Sequence, residues 1–337
     1  MFESVEEVQK SLEEQQYICD KNIATVVFLA TKLEKPVLVE GPAGVGKTEL
    51  AKVVGLALGR PLIRLQCYEG LDEAKALYEW EYSKQLLYTQ ILKEKLSETM
   101  AGATSLQDAA DRVGKEDSVF FSSRFIVSRP LLTSITSEEP TLLLIDEVDK
   151  SDPEFEAFLL EILSDYQVSV PEVGTFKAVT KPVVFLTSND AREMSDALKR
   201  RCLHLYIDFP NAELEQRILE TKVPGIGERL AHELIAVMQK LRKLDLKKSP
   251  SISETLDWAR ALLALNATTL DESLVNDTLA VILKYEGDIK KAQSELGRLI
   301  EKKAEEKKAE EPAQSAASTS AASAPAPAPT KKKGALH

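Results

Sequence analysis

VLVEGPAGVGKTELAKVVGLALG, at residues 37–59, is the stretch of this sequence that decides the fold. Its centre, GPAGVGKT at 41–48, fits the pattern G-x-x-x-x-G-K-[S/T], with a short aliphatic run before it and a helical pattern after it. A glycine-rich loop between a strand and a helix can close its backbone N–H groups around phosphates at a helix N-terminus, where the dipole favours negative charge. The sequence therefore predicts a phosphate-binding loop at 41–48 rather than a chance glycine-rich turn.

The residues of this loop have expected roles in binding ATP and Mg²⁺. We expect Lys47 to reach the β- and γ-phosphates and the Thr48 hydroxyl to bind Mg²⁺. The predicted nucleotide-binding set is the whole loop with the residue after it: Gly41, Pro42, Ala43, Gly44, Val45, Gly46, Lys47, Thr48 and Glu49.

A second apolar run ends in two neighbouring carboxylates. TLLLIDE, at 141–147, carries Asp146 and Glu147. We expect Asp146 to hold Mg²⁺ through its water shell and Glu147 to polarise the attacking water as general base. The alternative is an acidic strand end that leads into a surface loop. The phosphate-binding loop in the same chain favours the metal and base roles.

Asn189 stands near the end of a third aliphatic run, VVFLTSND at 183–190. In one interpretation, its amide holds the water between Glu147 and the γ-phosphate. In the other, it only forms an Asx-turn, which asparagine and aspartate do readily. The spacing leaves both interpretations open.

Two adjacent arginines, Arg200 and Arg201, lie in ALKRRC at 197–202. Adjacent arginines usually mark a solvated face. A nucleotide site with few cations of its own, however, needs charge compensation in the transition state, and an arginine from a neighbouring subunit is worth roughly 10³–10⁵ in rate. A ring assembly would satisfy that need.

Strand patterns alternate with helical patterns over the first two thirds of the chain. Such alternation predicts an α/β fold with a five-stranded parallel sheet and helices on both faces. The predicted strands lie at 37–40, 62–67, 141–146, 183–188 and 203–209. We predict a nucleotide-binding α/β domain at 1–210, a small all-α lid domain at 211–303 and a disordered tail rich in alanine, serine and proline at 304–337.

Composition and charge argue against several classes of protein. The net charge of -11 argues against a general nucleic-acid binder, because phosphate neutralisation needs a basic face. The three cysteines are scattered and odd in number, so they imply neither a disulfide framework nor a metal site. The sequence shows no signal-peptide pattern and no apolar run of roughly 20 residues, so it predicts a cytoplasmic protein without a membrane span.

Taken together, these segments resemble the AAA+ ATPases, and within them the MoxR branch. The segments that carry the resemblance are GPAGVGKTE (41–49), LLLIDEVDK (142–150), PEFEAFLLEILSDYQVSV (153–170), VVFLTSND (183–190) and ALKRRCLHLYIDFP (197–210). CYEGLD (67–72) and SETLDWA (253–259) are similar to the subgroup tied to maturation of molybdenum-dependent carbon monoxide dehydrogenases. The resemblance implies a P-loop AAA+ domain with a lid, a homo-oligomeric ring expected as a hexamer, a partner with a von Willebrand factor A domain, and a metalloenzyme client.

The resemblance also implies roles by position. The matches are Gly41, Gly46, Lys47 and Thr48 for Walker A, Asp146 and Glu147 for Walker B, Asn189 for sensor 1, and Arg201, with its neighbour Arg200 as a substitute, for the arginine finger. Tyr17 and Ile18 lie where such proteins form the adenine pocket. Packing of the first helix against the helix after the loop explains these two residues equally well.

The lid and three other segments leave questions open. Thr255 occupies the position that aligns with the family's sensor 2 arginine, and Arg260 lies five residues later, on another face of the helix. The resemblance suggests a hairpin at 168–179, a helix 2 region at 124–135 and an insert at 101–123. These segments are either client-contacting elements or solvent loops.

Three classes of function compete. The first is a chaperone-like ATPase that remodels or matures a metalloenzyme. The second is a nucleic-acid-linked motor or a restriction-type nucleotidase, against which the acidic balance argues; stimulation of hydrolysis by DNA would separate it from the first. The third is a scaffold that switches state and turns over little, which Glu147 disfavours because a pure switch has less need of a general base.

Overall fold

The computed structural model describes residues 2–91, 104–105, 107, 122–171 and 173–295 of the chain. The predicted disordered tail at 304–337 and nearly all of the expected insert at 101–123 lie outside these described residues. Among the helices of the described part, none is long and apolar enough to cross a membrane.

Helices and strands alternate through the first part of the chain, and helices alone follow. In chain order, the elements up to the second small strand pair are α1 (Val5–Glu14), α2 (Lys21–Leu33), β1 (Val37–Glu40), α3 (Lys47–Ala57), β2 (Leu62–Gln66), α4 (Glu73–Leu77), β3 (Tyr78–Trp80), α5 (Tyr82–Ile91), β4 (Ile126–Ser128), α6 (Pro130–Thr136), β5 (Leu142–Asp146), α7 (Pro153–Asp165), β6 (Gln167–Val170) and β7 (Gly174–Lys177). The remaining elements are β8 (Val183–Ser188), α8 (Asp196–Arg201), β9 (Leu203–Tyr206), α9 (Ala212–Lys222), α10 (Glu228–Leu241), α11 (Ile252–Ala264) and α12 (Glu272–Ile282).

Five strands form one parallel sheet in the order β2–β5–β8–β1–β9. In the pair of β1 and β9, Val37 lies opposite Leu203 and Glu40 lies opposite Tyr206. Because the strands run in the same direction, all their carboxyl ends meet at one edge of the sheet, which we call the carboxyl edge. Ligands of open α/β sheets bind outside this edge.

Alternate residues of each central strand enter two separate hydrophobic cores. On β1, Leu38 packs into one core, whereas Val37 and Val39 pack into the other. The sheet is therefore buried on both faces, which explains why its strands are continuous aliphatic runs in the sequence. The predicted α/β fold with a five-stranded parallel sheet is confirmed, although the second and fifth strands end earlier than predicted, at Gln66 and Tyr206.

Helices α9 to α12 pack around a third core, which also includes Leu283 and Ala292 after α12. Trp258 is fully buried there, and its indole N–H donates a hydrogen bond to Thr278 Oγ1 at 2.8 Å. Between residues 211 and 295, all of them described, the chain forms no strand, as predicted for a lid. The limits of the domains stay a prediction.

Two small antiparallel pairs accompany the main sheet. The β6–β7 hairpin confirms the one expected at 168–179. The β3–β4 pair was not predicted: Tyr78 lies opposite Ser128 and Trp80 opposite Ile126. Its strands have three residues each and are far apart in the sequence, so neither period nor turn signals mark them.

Candidate nucleotide-binding site at the carboxyl edge

The predicted phosphate-binding loop connects β1 to α3 at the carboxyl edge, and α3 begins at Lys47. Three glycines of the loop have a positive φ, a backbone conformation that residues with a side chain rarely adopt: Gly41 (141°), Gly44 (78°) and Gly46 (97°). A Cβ on Gly41 would also lie 2.0 Å from the carbonyl oxygen of Ile207. Gly46 precedes the helix without a side chain to cap it, so the first N–H groups of α3 face the loop.

Lys47 is buried in this loop, with its side chain turned back onto the backbone. Its ammonium donates to the carbonyl oxygens of Gly41 at 2.7 Å and Pro42 at 2.6 Å. Burial lowers the pKa of Lys47, while the carboxylates of Asp149 and Asp190 oppose that shift. The ammonium is thus held in the loop, where its positive charge would stabilise a bound anion.

Thr48 and Asp146 lie next to each other, as a shared magnesium site requires. Thr48 Oγ1 donates to Asp146 Oδ1 at 2.8 Å, and Thr187 Oγ1 donates to the same oxygen at 2.6 Å. Asp146 is 1% exposed. A hydroxyl and a carboxylate are hard oxygen donors of the kind that Mg²⁺ prefers beside nucleotide phosphates, so these residues fit the ion.

Glu147 extends from the end of β5 into the site. Its φ of 57° is in the left-handed region, a conformation that costs a non-glycine residue about 1–3 kcal/mol and clusters at functional sites. Its carboxylate accepts hydrogen bonds from Asn189 Nδ2 at 3.2 Å, Gln66 Nε2 at 2.9 Å and Lys150 Nζ at 2.6 Å. The structure thus brings the predicted base and the predicted sensor asparagine into contact.

Three residues that the sequence analysis missed complete this polar cluster. Asp149 is buried, and its Oδ2 accepts the backbone N–H groups of Asn189 and Ala191, each at 3.1 Å. Arg64 and Gln66, on the neighbouring strand β2, contact the carboxylates of Asp146 and Glu147. Two polar residues at alternate positions of an otherwise aliphatic strand, LIRLQ, were the signal that could have found the pair.

A cavity of about 310 Å³ lies beside the loop. Tyr17 and Ile18 line it together with Gly46 and Glu49, and the Tyr17 hydroxyl donates to the Gly46 carbonyl at 3.5 Å. Burial raises the pKa of Tyr17, so it stays a neutral phenol. Tyr17 also packs in the core beside α3. The two interpretations of this residue are therefore compatible, because one side chain packs the helix and borders the cavity.

The lid brings Ser253, not Thr255, to the loop. Thr255 is fully buried inside the lid, where it donates to Glu215 Oε1 at 2.7 Å. Ser253 Oγ donates to the Gly44 carbonyl at 3.4 Å. Arg260 borders the cavity but pairs with Asp257 at 3.1 Å, and its side chain is 56% exposed. Thr255 is therefore a structural residue of the lid, and the contact with the loop is made two residues earlier.

Arg200 and Arg201 lie at the amino ends of the strands, opposite the carboxyl edge that carries the loop of the same chain. They end α8, just before β9 starts at Leu203, and both are exposed. Arg201 Nε donates to Ser164 Oγ at 2.6 Å. Because β1 and β9 run in register, a four-residue strand separates this end from the loop, which corresponds to about 13 Å. The structure brings the other predicted catalytic residues together and leaves these two apart.

Residues 36–202 match the family model of the AAA domain, dynein-related subfamily. An uncharacterized protein of Staphylococcus aureus strain USA300 is 26% identical over 256 residues, which is 73% of this chain and 83% of that protein. A second, from strain NCTC 8325, is 25% identical over the same length.

Among solved structures, the chain is similar to the RuvB Holliday junction branch migration motor of Thermotoga maritima. The two are 15% identical, the match covers 81% of this chain and 69% of that chain, and the TM-score is 0.42. A variant of the same motor gives 18% identity, 82% and 73% coverage and a TM-score of 0.46.

Proposed function

We propose, because residues 36–202 match the family model of the AAA domain, dynein-related subfamily, that this chain is a Mg²⁺-dependent ATPase that works as a homo-oligomeric ring and remodels or matures a partner protein. The observation that carries the ATPase part is the cluster at the carboxyl edge. There, Lys47, Thr48, Glu147 and Asn189 line one cavity, and Thr48 donates a hydrogen bond to Asp146.

Each side chain of the cluster has a step to perform. Lys47 gives up its loop carbonyls and binds the phosphates through its ammonium. Thr48 and Asp146 would hold Mg²⁺, which would supply positive charge beside the phosphates. Asn189 orients a water, and Glu147 accepts one proton from it as the water oxygen bonds to the γ-phosphorus and the bond to ADP breaks. For this step, the Glu147 carboxylate must exchange at least one of its present hydrogen bonds for the water.

The position of Arg201 supports the ring. Arg201 is exposed at the opposite end of the strands, about 13 Å from its own loop, so the site of a neighbouring copy is the one that it could enter once it leaves Ser164. We propose that Arg201 completes that site, with Arg200 as a substitute, in a hexamer of the MoxR type. By the same resemblance, a protein with a von Willebrand factor A domain is the proposed partner, and a molybdenum enzyme the proposed client.

The trans role of Arg201 is tested by mixing two inactive variants. Arg201→Ala should bind ATP and hydrolyse it at least roughly 10³-fold more slowly, because a charge that stabilises the transition state is gone. Lys47→Ala should be inactive for lack of nucleotide. In mixed rings, some interfaces combine an intact loop with an intact Arg201, so phosphate release should partly return.

Arg229→Ala is the matched control, because Arg229 is also exposed and lies on the lid helix α10, in an ion pair with Glu233. Its activity should equal that of the wild type. If co-assembled Arg201→Ala and Lys47→Ala chains show no recovery at any mixing ratio, the trans role is wrong.

A further inference from the structure

Strand β2 presents Arg64 and Gln66 to the two carboxylates of the proposed ATPase site. Arg64 Nε and Nη2 donate to Asp146 Oδ2 at 3.1 and 2.5 Å. Arg64 Nη2 also donates to the side-chain oxygen of Gln66, whose Nε2 donates to Glu147 Oε2 at 2.9 Å. One unbroken chain of hydrogen bonds thus runs from Asp146 through Arg64 and Gln66 to Glu147.

Charge explains why Asp146 needs this arginine. Its side chain is 2% exposed, and a buried carboxylate is costly unless a positive charge or several hydrogen bonds compensate it. Thr48 and Thr187 both contact Oδ1, which leaves Oδ2 to the guanidinium. Among the ion pairs of the described residues, Arg64 is the cationic partner of Asp146.

The Arg64 side chain is also able to move away from Asp146. Its side chain is 47% exposed, so the guanidinium can turn into solvent without opening a core. A divalent cation bound to Asp146 would bring the compensating charge and repel the guanidinium. Arg64 and Mg²⁺ therefore compete for one carboxylate.

We propose that Arg64 is a positioning residue that neutralises Asp146 in the absence of Mg²⁺ and is displaced when Mg²⁺ arrives with the nucleotide. This inference rests on the proposed ATPase function. Displacement also ends the hydrogen bond that Arg64 donates to Gln66.

The proposal predicts two effects of opposite direction for Arg64→Gln. The metal-free protein should be less stable, because a buried carboxylate loses its counter-charge. The concentration of Mg²⁺ that half-saturates the site should fall by roughly tenfold, because a charge-assisted competitor is gone. An arginine that only supports the fold would make the protein less stable and its Mg²⁺ binding weaker or unchanged.

The experiment uses the full chain and a fluorescent ADP analogue, with Mg²⁺ titrated from chelator to millimolar concentrations. Thermal melts in chelator give the second readout. Arg129→Gln is the matched control: its side chain is 45% exposed and pairs with the exposed Glu79, so neither quantity should change. Arg64→Lys keeps the charge but not the two-nitrogen contact, and should shift the Mg²⁺ requirement in the same direction by less.

The outcomes separate this inference from the proposed function. An unchanged or higher Mg²⁺ requirement in folded Arg64→Gln overturns the role of Arg64, while wild-type binding of the ADP analogue leaves the nucleotide site intact. If Arg64→Gln does not fold, the Arg64→Lys titration decides in the same way. Absence of binding by the wild type at every Mg²⁺ concentration overturns the proposed function and this inference with it.

Discussion

Glu147→Gln is expected to bind ATP like the wild type and to hydrolyse it roughly 10²–10⁴-fold more slowly. The amide keeps the size of the carboxylate and can still contact its neighbours, but it cannot accept the proton of the attacking water. Asn189 and Gln66 remain to hold the residue in place, so the site should keep its shape. The measurement is phosphate release at saturating ATP, together with binding of a fluorescent ATP analogue.

Glu154→Gln serves as the control for this variant. Glu154 is exposed in the first turn of α7 and should leave turnover unchanged. A kcat near that of the wild type for Glu147→Gln would show that another group, or none, acts as the base.

Lys47→Ala is expected to abolish nucleotide binding, with a loss of affinity on the order of 10²-fold or more, because it removes the ammonium that faces the phosphates. Lys47 is buried in its own loop, and its ammonium is bonded to two carbonyl oxygens of that loop. Binding of the fluorescent ATP analogue measures the effect.

Folding must be checked for this variant, because the removed ammonium also bonds to two loop carbonyls. A circular-dichroism melt gives that check, and Lys32→Ala, an exposed lysine on α2, is the control. Wild-type affinity in a folded Lys47→Ala protein would remove the phosphate site from the account.

The predictions that the structure confirmed depend on short, local patterns. The strand–loop–helix around 41–48 is visible because glycine spacing, an aliphatic run and a helical period all occur within one stretch. Asp146 and Asn189 stand near the ends of aliphatic runs in the sequence, and their roles in the site stay predictions. These predictions do not depend on the order of the strands in the sheet, which the sequence did not predict.

What the sequence left unresolved depends on contacts between distant segments. Arg64 and Gln66 acquire a role only because β2 lies beside β5, so that Gln66 is opposite Asp146. In the lid, the resemblance places Thr255 at the position of the sensor 2 arginine and leaves the role open, whereas the rotation of α11 turns Thr255 inward and brings Ser253 to the loop. Neighbours across a sheet and the rotation of a docked helix are tertiary properties that local propensity does not encode.

The central claim is that a copy of this chain hydrolyses ATP at a site that a second copy completes. The most direct measurement is the rate of phosphate release per chain as the concentration of purified wild-type protein is raised through the range in which light scattering detects assembly. The account predicts a rate per chain that rises with assembly and then levels off, with Glu147→Gln flat near the background. A rate per chain that is constant down to the monomer, or no Mg²⁺-dependent release at any concentration, would contradict it.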